Sequence, residues 1–404
     1  MGSHSITQIP QTRDPGPIAR MTIPVRQLTS IVAELCSQAQ ASLPLRQAEL
    51  AQAFLNQYYH RVPSEVLAES DLADLYGAAI AHWDLGRQRA ADSSLIKVYN
   101  PTHESHGWES THTVVEIITN DRAFLVDSIA MVLNGHNLTI HLTIHPVIRT
   151  VRDSDGGLQK VLRNGESDDR SIAESFMQFR IDRQTDDAVL QQLRTEIFEV
   201  IHDVERVGND WKNMRDRLLE TAEALESASG SAVTEEISAL CHWIAADHFT
   251  FLGCIDLKTD TAAIDRQRVP VPGTELGILR SSTESRHADP SSLLPINQAD
   301  YLTDTELLLI TETNKKSTVH RPAYMDMIVL RRFDSQGQLI VETCVIGLFS
   351  AAAYNSSVRE VPVLRSKLQG VLERSALPRD GHGSKTLENI IENHTSQGSL
   401  PDFR

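Results

Sequence analysis

The chain has 404 residues, room for two or three domains, and its 41% hydrophobic and 23% charged side chains are an ordinary globular balance that argues against wholesale disorder. The net charge of −16 repels phosphate backbones and anionic lipid heads, so no nucleic-acid and no membrane partner is expected. Four cysteines (Cys36, Cys241, Cys254, Cys344) contain no CxxC pair, which suits neither a zinc ribbon nor a disulfide scaffold and fits a reducing cytosol.

Residues 1–25 are polar, with four prolines up to Pro24, and read as a flexible arm. Met1 to Asp14 lacks the apolar stretch of a signal peptide, and the longest apolar run, Cys344 to Tyr354, falls short of the ~20 residues of a membrane helix. A cytoplasmic protein is expected.

Residues 26–92 read as helical. Leu28, Ile31, Val32 and Leu35 recur at helical spacing, Leu50, Phe54 and Tyr58 repeat it, and Gly86 ends the last helix. The character changes over 93–206. HTVVEII from His112 is β-rich, Asn120-Asp121 marks a turn, and Asp121 is a good cap for a helix from Arg122 to Asn134 that Gly135 closes. LTIHLTIHPVIRTV from Leu138 predicts one long alternating strand, with Ile140, Leu142, Ile144 and Ile148 on one face. Thr139, His141, Thr143, His145 and Val147 take the other face, and Pro146 places the strand at an edge or a bulge. A strand over Glu174 to Ile181 follows, then a helix capped at Asp186-Asp187 with Val189, Leu193, Ile197, Val200 and Val204 on one side. The order strand, helix, strand, strand, helix is one strand short of the βαββαβ plan of a small ligand-sensing domain.

Residues 207–247 read as a helical linker with a Ser/Gly break at Ser227 to Ser231. Residues 248–376 are mostly strand: Phe249 to Leu257, Leu307 to Thr313, and a hairpin of Tyr324 to Phe333 and Leu339 to Phe349 across Asp334 to Gly337. A Pro- and Ser-rich loop covers about 270–300. Pro362 reads as the first-turn proline of a helix burying Leu364, Leu368, Val371 and Leu372, and 377–404 as a polar tail. The fold class is α+β, multidomain.

Few motifs carry chemistry. His141 and His145 imitate a zinc-protease pair, but Leu142 follows where a glutamate is needed. On a strand four residues span about 13 Å, too far for one metal. They read instead as structural or interface histidines. The amides at a helix start attract anions, so Asn120, Asp121, Arg122, Phe124 and Leu125 are the candidate effector site, unless Asp121 fills that place as the cap. Gly381 to Thr386 mimics a phosphate loop but has Ser384, not glycine, before Lys385. His103, Glu104 and His106 beside Pro101 read as solvated, and His112, Asp247, His248 and His320 show no ligand spacing. No GxGxxG follows a strand and no GxSxG elbow occurs.

Longer strings carry a resemblance. Gly107-Trp108, HTVVEI from His112, DRAFLVDS from Asp121 and LTIHLTIHPVI are followed in order by DHFTFLG from Asp247, STVHRPAYMD from Ser317, GLFSAAAYN from Gly347 and VPVLRSK from Val361. Over about 26–393 the chain resembles the large bacterial NAD-specific glutamate dehydrogenases. The resemblance implies an amino-terminal array of ACT-type and PAS-type domains joined by helices, here an ACT-like βαββα domain over 93–206 and a PAS-like antiparallel sheet over 248–376. It also implies oxidative deamination of L-glutamate to 2-oxoglutarate and ammonia, with NAD as hydride acceptor in the full-length enzyme. The chain shows no counterpart of the lysine-based glutamate site or of a Rossmann domain. So no catalytic residue is carried over, and no cofactor is expected in this chain. Ala123 stands where the family commonly has proline, Gly135 and Asn137 where it has arginine and glycine, and His394 to Arg404 leaves the family pattern, as in a truncated product.

Three readings of function follow. The first is a regulatory and assembly region with an amino-acid effector. The second is a purely structural module that self-associates through ACT-like sheets, with His141, Thr143 and His145 at the interface. The third, an independent metal enzyme, rests only on the 16 histidines.

Overall fold

Small side chains let the first helices pack closely. The structure, a computed structural model, describes residues 28–259, 268–280 and 306–375, together with 382–383, 385–387 and 390. The expected arm at 1–25, most of the Pro/Ser-rich loop, Gly381 and Ser384 of the phosphate-loop mimic and the tail from His394 lie outside the described residues. Helices α1 (Leu28–Ser42), α2 (Leu45–Tyr58), α3 (Ser64–Ala68) and α4 (Leu72–Leu85) bury Ala39, Ala48, Ala51, Ala78 and Ala79 beside Leu35, Phe54, Tyr58 and Trp83. Asp71 caps α4 by accepting from the Ala73 amide, and Gly86 ends it as expected.

The first sheet runs in the order β1-β2-β6-β4-β5, all antiparallel, with β3 also on β6. Its strands are β1 (Leu95–Tyr99), β2 (Thr113–Asn120), β3 (Ile140–Ile144), β4 (Val147–Arg152), β5 (Leu158–Val161) and β6 (Ile172–Ile181). β1 is the strand missing from the sequence reading. It comes from the amino-terminal side and pairs antiparallel with β2, which completes the four-stranded plan. A one-turn helix, α5 (His103–His106), lies between them.

Both faces of this sheet are covered, so β2 is an almost unbroken buried run rather than an alternating one. Ile118, Ile144, Ile148 and Phe176 pack on the α1–α4 bundle. Val115, Ile117, Met177 and Phe179 pack on α6 (Leu125–Gly135) and α7 (Asp187–Ser229).

The structure corrects several expected boundaries. The long strand is divided at His145-Pro146, yet β3 and β4 keep one register along β6. A bulge between Ile140 and Leu142, not at Pro146, turns Ile140 to the α6/α7 face while Leu142, Ile144 and Ile148 face the bundle. α6 starts at Leu125, not Arg122. The left-handed residue past its end is Asn137 (φ 57°), not Gly135.

The expected boundary at 206/207 falls inside α7. Its 43 residues form one helix of roughly 65 Å, ended by Gly230 in the left-handed conformation. Ser231 and Thr234 form a capping box for α8 (Ala232–Trp243).

The second sheet has the order β10-β11-β12-β7-β8, with β9 on β7. Its strands are β7 (Phe249–Thr259), β8 (Arg268–Pro270), β9 (Leu276–Gly277), β10 (Leu308–Lys316), β11 (Tyr324–Phe333) and β12 (Leu339–Phe349). After a turn of helix, α9 (Ala351–Tyr354), comes α10 (Leu364–Arg374). Pro362 lies before α10 rather than in its first turn, and Val363 (φ 66°) occupies the cap position.

One face of this sheet (Leu252, Ile255, Met327, Val329, Ile346) joins the same core as α6 and the first half of α7. The other face packs on α8, α10 and Met214 to Leu225 of α7. From one side to the other, the layers are bundle, first sheet, α6 with the start of α7, second sheet, and helices.

Candidate functional site

The candidate effector residues do not line one cavity. Asn120 closes β2 with both ends of its amide engaged: Arg89 Nη2 donates to Oδ1 (2.7 Å), and Nδ2 donates to Asp92 Oδ1 (3.0 Å). Asp121 does not cap α6. Its backbone amide bonds Ala173 O, and its carboxylate accepts from Ser175 Oγ at 2.6 Å. The helix takes Phe124 as its N-cap position, at φ 70° and without a side-chain cap. Arg122 lies against Gly208 of α7, where an added Cβ would meet Nη1 at 3.0 Å. Leu125 is buried in the core between the sheets. The stretch thus divides, Asn120 and Asp121 to the rim of the first sheet, Arg122 to Leu125 to α7 and the second sheet.

Contacts across that division are specific. The Phe124 ring lies 4.6 Å from the His320 ring, between centroids. Ser128 Oγ donates to Phe124 O (2.6 Å) and accepts from the His320 amide (3.1 Å). Thr318 Oγ1 donates to Asp203 Oδ2 of α7 (2.8 Å). The 317–323 loop of the second sheet is therefore hydrogen-bonded to α6 and α7 directly.

The two predicted residue sets meet at Ser175. His145 Nε2 lies 3.1 Å from Ser175 Oγ, so Asp121, Ser175 and His145 form a row. This row is not a nucleophile arrangement. The Ser175 proton goes to Asp121, so His145 must donate rather than accept, and Ser175 is fully buried. Burial lowers the His145 pKa, which keeps the ring neutral at neutral pH, with Asp121 opposing the shift. His141 Nε2 sits 2.7 Å from Asp182 Oδ1, and its ring is 4.4 Å from the His112 ring. Hydrogen bonds from Thr139 and from His141 hold Asp182 down at about 2. Thr143 is exposed, and among the described residues no strand pairs with the outer edge of β3.

Sequence reasoning missed the buried ion network behind this rim. Glu174 of β6 is fully buried. It accepts from Arg89 Nε (2.5 Å), from Arg152 Nε and Nη2 (both 2.9 Å) and from Thr150 Oγ1 (2.5 Å). Arg152 also donates to Gly156 O and Gly86 O. Gly156 (φ 86°) has to be glycine, because a Cβ there would come within 2.2 Å of Arg89 O. The available signal was the single acidic residue, Glu174, in the stretch Ile172 to Ile181. Among the described residues no group of three or more His, Cys, Asp or Glu side chains is placed to hold a metal ion, and no helix is long and apolar enough to cross a membrane.

Four antiparallel strands in the order β1-β2-β6-β4, with α6 and α7 on one face, define an ACT-type α+β domain. Comparison with known proteins agrees. The profile of the "Glutamate dehydrogenase, ACT1 domain" matches residues 54–197, and that of "Glutamate dehydrogenase, helical motif 1" matches 361–397. An NAD-specific glutamate dehydrogenase of Halomonas elongata is 32% identical over 369 residues, 90% of this chain and 23% of that protein. The enzyme of the same name from Pseudomonas aeruginosa is 32% identical over 342 residues (84% and 21%), and that of Mycobacterium tuberculosis 24% over 317 (77% and 18%). The chain belongs to the NAD-specific glutamate dehydrogenase family. It spans about a fifth of the length of the curated relatives it matches.

Proposed function

We propose that this chain is a regulatory and assembly region of an NAD-dependent glutamate dehydrogenase of the cytoplasm, and that it supplies no group to the chemical step. The observation that carries the proposal is the single core in which α6 and α7 lie between the two sheets, joined to the second by the Phe124, Ser128 and His320 contacts. A change at the rim of the first sheet has a short, packed route to the second. An amino-acid effector at Asn120 to Leu125 would act on that route. Calorimetry of the whole chain against a panel of amino acids tests this. Heat that disappears in Asp121→Ala supports it, and no heat from any of them removes the sensing claim.

The second sheet reads as PAS-like. Numbered within the sheet, leaving out β9, its strands follow the order 2-1-5-4-3 of that sensor class. NAD serves the relatives named for it, but these residues do not fit it. A dinucleotide fold needs parallel strands and a glycine-rich turn into a helix, whereas both sheets here are antiparallel and α6 opens on Phe124. The purified chain given L-glutamate and NAD should form no NADH.

The exposed outer edge of β3, with His141 and Thr143, favours a second reading, a purely structural self-associating module. Sedimentation discriminates. Assembly that Thr143→Pro abolishes supports the edge, and a monomer at high concentration argues against it.

A further inference from the structure

A cleft of about 620 Å³ opens where the start of α4, the residues leading into β2 and the end of β6 converge. Its charged lining is of both signs. Asp71, Asp74 and Glu109 bring carboxylates, while Arg180 and Arg183 bring guanidinium groups beside His112. The arginines are weakly committed. Arg183 Nη1 donates to the Ser110 carbonyl (2.9 Å). Arg180 Nε is buried without a hydrogen-bond partner, and among the described residues no carboxylate forms an ion pair with Arg180.

The sheet behind Arg180 is polar in the same way. Gln178 stands two residues earlier on the same face of β6, directly across from Glu116 of β2. Both are fully buried, and Gln178 Nε2 donates to Glu116 Oε1 at 3.3 Å. Gln178 Oε1 and Glu116 Oε2 have no partner. Buried polar atoms without partners are uncommon in a folded chain, and three on one short stretch of sheet next to a cleft mark a site rather than a packing fault.

We propose that this cleft binds a small zwitterion, its carboxylate on Arg180 and Arg183 and its ammonium group on Asp74 and Glu109. The charge pattern selects such a molecule. A simple anion would face the three carboxylates, and a simple cation would face the two guanidinium groups, so either leaves half of the lining opposed. A planar guanidinium matches a carboxylate in a fork, which is what the buried Nε of Arg180 lacks. His112 immediately precedes β2 and Asn120 ends it, so this cleft and the β2–α6 junction lie roughly 25 Å apart at ~3.3 Å per residue. They are separate places on the domain.

The test is calorimetry of the whole chain with glycine, L-glutamate and 4-aminobutyrate, and with succinate and putrescine as single-sign controls. At least one zwitterion should bind, with both controls at least about tenfold weaker. Arg183→Gln and Glu109→Gln alter exposed side chains and spare the fold. Each should weaken binding by about tenfold to a hundredfold, the range for a charge-assisted hydrogen bond. Asp121→Ala should leave unchanged the component of binding that Arg183→Gln weakens, which separates this site from any binding at the junction. No binding by any zwitterion overturns the proposal. So does succinate or putrescine binding as tightly, or binding that Asp121→Ala abolishes and Arg183→Gln does not.

Discussion

Glu174 shows how much rests on single side chains at the rim of the first sheet. Two guanidinium groups and a hydroxyl converge on it inside the fold. Taking away the carboxylate leaves two cations buried without their counter-charge, a loss of about 3–5 kcal/mol. Glu174→Ala should therefore melt far below the parent chain, and thermal unfolding checks it. Glu116 gives a prediction in pH. Burial pushes its carboxyl up to about 7, against Lys97, Tyr99 and Gln178. The folded value lies above the unfolded one, so its contribution is whole below the unfolded carboxyl pKa and is lost as pH rises through about 7. Glu116→Gln should match the parent near pH 4 and exceed it near pH 8 by up to about 3 kcal/mol. Asp326, pushed up to about 6 by burial, slopes the same way, and His82, held near 3 by burial, slopes the opposite way. The difference between variant and parent is thus the quantity to measure, by denaturation across pH. Asn137 sits at φ 57°, and asparagine is among the few side chains besides glycine that tolerate that region.

At the scale of elements, α7 is a strut that both sheets grip. Asp210, on its buried side, accepts from the Gly277 amide (2.9 Å) and from Arg280 Nη2 (2.8 Å), which fixes β9 to the helix. Asp210→Ala strands that amide and should cost about 2–4 kcal/mol, with hydrogen exchange speeding up over 268–280 first. The sequence showed some elements to the residue and hid others, for physical reasons. The β11–β12 hairpin was legible because its turn is chemically determined: the Asp334 carboxylate accepts from the Gln336 and Gln338 amides, and Gly337 takes φ 76°. The unity of α7 was hidden because its middle passes from one core to the next, so its apolar face changes partner instead of repeating. β1 was hidden because LIKVY is only half-buried for most of its length and becomes a strand by lying beside β2. The start of α6 was misread because Asp121, a good cap by type, is drawn into a tertiary bond with Ser175. For the site, the residue types were visible. Their division between two partners depends on contacts more than 50 residues apart in the chain, such as Asp121 with Ser175 and Ser128 with His320.

The whole molecule is organised around one shared core rather than two separate ones. Val115, Phe179, Ile129 and Ile201 lie in the same buried cluster as Leu252, Met327 and Ile346 of the second sheet. Two domains on a linker would open independently, each with its own stability. A shared core makes the opening of either sheet expose apolar surface of the other, so they should unfold together. Ile201→Ala tests this. Ile201 is fully buried on α7 between the sheets, and shortening it should cost about 2–5 kcal/mol. With a shared core, amide exchange should quicken by a similar factor in β2 and β6 of the first sheet and in β7 and β12 of the second. Quickening confined to the first sheet would mean that the second folds without its neighbour. The route from Phe124 through His320 would then join two bodies, and a signal at the rim of the first sheet would reach the second only as a change in their docking.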